Sequence, residues 1–170
     1  MDRGTWISFS LVFLIIAAFA IFWLVGKYAD RRFAGSSFAS RFPEKTLCYG
    51  VDEFRRLASS DVRKAYVVPV LFPLDLIVML ALSGSMGAAI WYWLSQAAPA
   101  WATLAAFIPL TYLLSDFIED CLLAWLLQPD RAWPAVMIGV LKTLTAIKFV
   151  SIVVSMALTL CAFSLWLFRA

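Results

Sequence analysis

The stretch from Pro109 to Gln128, PLTYLLSDFIEDCLLAWLLQ, constrains the fold more than any other. It sets three carboxylates, Asp116, Glu119 and Asp120, inside an apolar run of bilayer-spanning length. On a helix turning about 100° per residue, positions i, i+3 and i+4 share one face, so the three acids form a single patch with Tyr112 one turn earlier. Such a patch is costly against lipid, at about 3 kcal/mol or more per charge. The rest of the chain must therefore supply partners, water or an interface at that depth.

Composition decides what kind of chain this is. Apolar residues make up 64% and charged residues 15%, where a soluble domain has roughly half and about a quarter. Mean hydropathy is +0.88. These values predict an all-α polytopic membrane protein, a four-transmembrane-helix bundle. The 170 residues hold about four spans of ~20 residues and one polar segment, so residues 1–170 read as a single membrane domain without a soluble catalytic module. The spans are placed at about 6–26, 73–95, 98–128 and 133–168. Cys48, Cys121 and Cys161 are widely spaced and odd in number, which argues against a disulfide framework or a cysteine metal site. The chain has no histidine. Bis-histidine haem, histidine-based zinc and Ser-His or Cys-His catalysis are thereby excluded, and neither a cofactor nor a metal motif is called for.

Trp6 to Gly26 carries no charge, and Ala18-Phe19-Ala20 is followed by more apolar sequence instead of a polar mature region, so it reads as an uncleaved span. With so few polar atoms it belongs at the edge of the bundle. Residues 27–64 hold nine of the fourteen basic residues, which predicts a cytoplasmic loop and external termini by the positive-inside rule. Within it, 33–47 lacks any period. From Val51 onward, Val51, Phe54, Leu57 and Ala58 recur at helical spacing, giving a short amphipathic helix on the membrane face. It is either a linker packed on the bundle or a lipid-headgroup sensor. Ser59-Ser60-Asp61 has the composition of an N-cap for the next helix.

Pro73 suits the first position of the second span, with Asp75 in its first turn, where an acid complements the helix dipole. The middle of that span, Ser83 to Ala89, is rich in small residues that let helices approach closely. The third and fourth apolar runs exceed what a bilayer needs, so part of each must extend beyond the lipid. Trp6, Trp91, Trp93, Trp101 and Trp166 fall at the outer ends and Trp23, Trp125 and Trp133 at the inner ends, as in an aromatic belt.

Counting inward from the outer ends, Asp75, Asp116 and Lys148 all lie roughly 27 to 30 Å deep, at the inner membrane boundary. Glu119, Asp120 and Lys142 form a second rung further in. The fourth helix carries Lys142, Thr145, Lys148, Ser151, Ser155 and Thr159 along one side, facing the acids. This places Lys148 beside Asp116, and Lys142 beside Glu119 or Asp120. Four acids face two lysines. The excess must be relieved by protonation, by Arg63 or Lys64, by water or by a bound cation. The apolar hairpin beyond, 121–141, should be covered by residues 51–72.

Pro73-Leu74-Asp75, Asp116-x-x-Glu119 and a lysine early in the fourth helix resemble a broad group of small bacterial four-helix membrane proteins, over roughly residues 70 to 165. Members often carry Asn directly after the Glu, where this chain has Asp120. The resemblance implies the fold and a shared polar cluster, but no activity; read from the helical spacing, the cluster in this chain comprises Asp75, Tyr112, Asp116, Glu119, Asp120, Lys142 and Lys148. Three functions follow. The first is a structural or accessory protein of the bacterial inner membrane, its partners being lipid and other membrane subunits or a second copy, with no nucleic acid. The second is a proton- or cation-handling bundle. The third is a membrane enzyme using Asp116 and Glu119 as acid and base on a lipid headgroup.

Overall fold

The computed structural model describes residues 3–33, 50–60, 62–128 and 135–169, and these are helical almost throughout, with no strand among them. Seven helices follow in order: α1 Arg3–Arg32, α2 Val51–Ala58, α3 Val62–Ala65, α4 Leu76–Ala97, α5 Pro99–Ala106, α6 Ile108–Leu126 and α7 Ala135–Leu167. Four helical stretches, Arg3–Arg32, Val62–Ala97, Pro99–Leu126 and Val136–Leu167, are long and apolar enough to cross a membrane. The irregular run 33–47, apart from Phe33, and Asp61 and Trp133 lie outside the described residues.

α1 runs six residues past Gly26, so Lys27, Arg31 and Arg32 are helical and not part of a loop. Arg31 and Arg32 close its last turn, where cations complement the helix dipole. The helix packs on α4 and on the Tyr66–Asp75 segment. Most of its side chains face outward, as an edge helix requires; Ser8, Leu11, Ala18 and Ala29 are buried.

The second apolar stretch does not start its regular helix at Pro73. Tyr66–Asp75 winds in wide turns broken at Val68 (φ −131°, ψ 118°) and Phe72 (φ −132°, ψ 121°), and the regular helix opens at Leu76. Both breaks precede a proline. The position before a proline is biased away from the helical region, in keeping with the extended backbone of Val68 and Phe72. Asp75 therefore stands at the N-cap position of α4, yet its side chain makes no capping hydrogen bond.

The third stretch divides at Phe107, two residues before Pro109, whose ring and missing N–H interrupt the hydrogen-bond ladder. Where α5 folds back on α4, a Cβ at Gly87 would stand 3.3 Å from the Ala106 carbonyl oxygen, so the small residue sets that approach.

Three apolar clusters stack along the bundle. At the α4–α5 turn, Leu11, Ile90, Trp93, Leu94 and Ala162 pack together. Trp93 is 1% exposed and donates its indole N–H to Ser8 Oγ at 3.1 Å, so it is a core residue and no part of an aromatic belt. The middle cluster joins Ala18, Val78, Met79, Leu82, Met86 and Tyr112. At the other end Leu57 of α2, Phe33, Tyr66 and Leu71 cover Leu123, Leu126, Leu127, Ile138 and Leu141. The overlong parts of α6 and α7 are thus roofed by α2 and the 62–75 region. Ser59 and Ser60 end α2: their hydroxyls donate to the carbonyls of Arg55 at 2.9 Å and Leu57 at 2.7 Å.

Candidate functional site

Between the middle cluster and the roofed end lies a layer of charge. α6 presents Asp116, Glu119 and Asp120 on its inner face with relative exposures of 1%, 0% and 0%, and α7 presents Lys148 at 7%. The Lys148 ammonium donates to Asp116 Oδ1 at 2.7 Å and lies 2.9 Å from Glu119 Oε2. It joins two acids, not one. The acids stand one turn apart, and a lysine stem anchored on the facing helix reaches both. Glu119 Oε1 accepts from Thr145 Oγ1 at 2.5 Å, so both of its oxygens are engaged from α7.

This arrangement revises the two-rung picture. Glu119 belongs to the same centre as Asp116, held by Lys148 and Thr145. Asp120 joins that centre too, because carboxylate oxygens of Asp75, Asp116 and Asp120 all lie within 4.8 Å of one another. Such a spacing lets three carboxylates converge on one proton or one cation. Lys142 is half-buried on α7, six residues before Lys148 and about 120° around the helix from it. Arg63 does not supply its charge here. Its guanidinium donates to the Ala58 carbonyl at 3.3 Å, and with Lys64 it lines a separate cavity against Cys121, Trp125 and Gln128.

The remaining polar residues of α7 satisfy themselves. Ser151, Ser155 and Thr159 are buried, and each donates to the carbonyl four residues back at 2.7 Å. Back-bonding of this kind lets a hydroxyl sit in an apolar core without a partner on another helix. Of the stripe, Thr145 and Lys148 reach across to α6.

A cavity of ≈ 560 Å³ opens onto this layer from the side of α1. Phe22, Val25 and Gly26 of α1 and Phe149 and Ile152 of α7 form its walls, and Asp75, Tyr112, Asp116 and Lys148 its floor. Lys27 and Asp30 also line it, exposed on α1. Glu119 and Asp120 do not. The sequence reading missed the share of α1 in this site, since an uncharged edge helix followed by a basic loop gives no sign that Lys27 and Asp30 continue the helix toward Asp75. It also missed the contact of Thr145 with Glu119, although Thr145 lay on the stripe that faced the acids.

Comparison with protein-family models, with curated proteins and with solved structures finds no match for this chain.

Proposed function

We propose that the protein is a structural or accessory integral membrane protein of a bacterial plasma membrane, in which the Asp116–Lys148–Glu119 network sets the register between α6 and α7. Four helices of spanning length support residence in a membrane. So does their apolar exterior, which leaves Phe13, Trp23, Leu114, Val150, Val153 and Leu160 exposed. The basic excess in 27–64 supports a cytoplasmic loop with external termini, which puts the charged layer at the cytoplasmic boundary.

The observation that carries the reading is one buried ammonium hydrogen-bonded to Asp116 and ion-paired with Glu119, two buried carboxylates on the neighbouring helix. Sliding either helix by a residue would strand three charges in a low-dielectric interior, so the network selects one alignment even where it adds little net stability. Substitution tests this. Asp116→Asn leaves Lys148 its bond to Glu119, whereas Lys148→Met strands both acids and should cost about 3 to 5 kcal/mol. Only the triple variant Asp116→Asn, Glu119→Gln, Lys148→Met should recover stability in detergent. If the three effects simply add, the network does not act as a unit. A recovered triple variant that still supports growth of a deletion strain upholds the structural reading.

A second reading is favoured by the 4.8 Å convergence of Asp75, Asp116 and Asp120 beside an open cavity. A proton- or cation-handling bundle needs acids so placed. A triple variant that folds well and fails to support growth would replace the first reading with this one. Acid–base chemistry on a lipid headgroup through Asp116 and Glu119 is the weakest of the three, because both carboxylates are engaged by one lysine and Glu119 does not line the cavity.

A further inference from the structure

We propose that the cavity between α1 and α7 is a binding site for a membrane lipid carrying a phosphoethanolamine headgroup. The ammonium would lie against Asp75 and Asp116, the phosphate near Lys27, and the start of one acyl chain along Phe22, Val25, Phe149 and Ile152. The inference rests on the membrane residence proposed above and is independent of whether the network is structural.

Three features of the cavity select this ligand. Its volume of ≈ 560 Å³ falls in the range of built ligand sites and suits a headgroup with the first part of a chain. Its walls are apolar at Phe22, Val25, Phe149 and Ile152, which a free ion or a soluble amine would leave without complement. Its charges have an order: Asp75 and Asp116 sit at the floor, half-buried and buried, while Lys27 stands exposed on α1. The floor lysine, Lys148, is held by Asp116 and Glu119. Three carboxylates, Asp30, Asp75 and Asp116, line the cavity together with two lysines, Lys27 and Lys148. A zwitterion with its ammonium innermost and its phosphate beside Lys27 complements that order. A primary ammonium donates three hydrogen bonds to carboxylates, which a quaternary headgroup cannot do. An anionic lipid without an amine would place its charge against the acids.

The opening lies where lipid has access. α1 packs on α4 and the Tyr66–Asp75 segment, and Phe22, Trp23 and Phe149 beside the cavity are outward-facing. Counted from Trp6, Lys27 lies roughly 31 Å along α1, at the depth of the phosphate layer. Its ammonium stands 5.6 Å from the centre of the Trp23 ring, an arrangement that holds the cation near the mouth of the site.

The test uses purified protein in detergent, with binding of phosphatidylethanolamine, phosphatidylglycerol and phosphatidylcholine read by native mass spectrometry and by the shift in melting temperature. Phosphatidylethanolamine should bind at least about tenfold more tightly than the other two, the worth of one charged hydrogen bond. Gly26→Phe serves as a plug, because a Cβ at Gly26 meets no atom within 4 Å. It should abolish the phosphatidylethanolamine shift while leaving the lipid-free melting temperature unchanged. Asp75→Asn should retain lipid binding but lose the preference for the amine headgroup, and this readout stands even if Gly26→Phe fails to fold. Equal binding of the three lipids, or a preference that survives Asp75→Asn, overturns the proposal. The measurement depends neither on whether the network sets helix register nor on a particular orientation in the membrane, so its failure is distinct from theirs.

Discussion

Thr145 Oγ1 stands 2.5 Å from Glu119 Oε1 and 2.9 Å from the carbonyl of Leu141 on its own helix. A hydroxyl carries one proton, so the two acceptors compete for it, and the charged acceptor takes the shorter bond. Thr145→Val keeps the shape and removes the donor, which strands one oxygen of a fully buried carboxylate. The expected loss is about 1 to 3 kcal/mol, with Thr145→Ser close to the parent in thermal unfolding. Equal melting of the valine and parent proteins would show that the contact carries nothing.

Trp93 and Ser8 form a second buried pair, linking α4 to the edge helix α1 through the indole N–H. Ser8→Ala leaves that N–H without its acceptor, at an expected cost of about 1 to 3 kcal/mol. Once Trp93→Phe has removed the donor, the same change should cost much less. A double-mutant cycle with no coupling would detach α1 from this contact.

The roof over the far end of the bundle depends on α2, whose Leu57 is buried against the cluster containing Leu123, Leu126 and Leu141. Leu57→Ala should lower stability by about 2 to 5 kcal/mol, as for a large core side chain. The exposed Arg56→Ala on the same helix should stay within about 0.5 kcal/mol of the parent. If the two variants melt alike, α2 does not pack as described.

Orientation is checked by labelling single cysteines in a cysteine-free background. On the proposed topology, with 27–64 cytoplasmic by the positive-inside rule, Ser59→Cys should react with an impermeant thiol reagent only after the membrane is opened, and Arg169→Cys in intact cells. The reverse pattern would invert the topology.

The all-helical architecture and its four long apolar stretches were legible in the chain because hydropathy and length depend on each segment alone. The shared face of Asp116, Glu119 and Asp120 was legible as well, being fixed by helical periodicity. So was the neighbourhood of Lys148 and Asp116, since two apolar helices with facing polar stripes have one way to bury them. Tertiary structure decided the rest. Whether Lys148 meets one acid or two depends on the spacing of α6 and α7 and on the reach of a flexible stem, quantities that no residue pattern contains. Trp93 fell at the end of an apolar run, where sequence assigns a belt residue, and only the packing of α1 beside it turned the ring inward. Asp75 looked like a helix-start acid; the two pre-proline breaks moved the start of α4 to Leu76 and left the carboxylate among those of Asp116 and Asp120. The cavity beside them is lined by α1, α4, α6 and α7 together, surfaces distant in sequence, and is therefore invisible in any one of them alone.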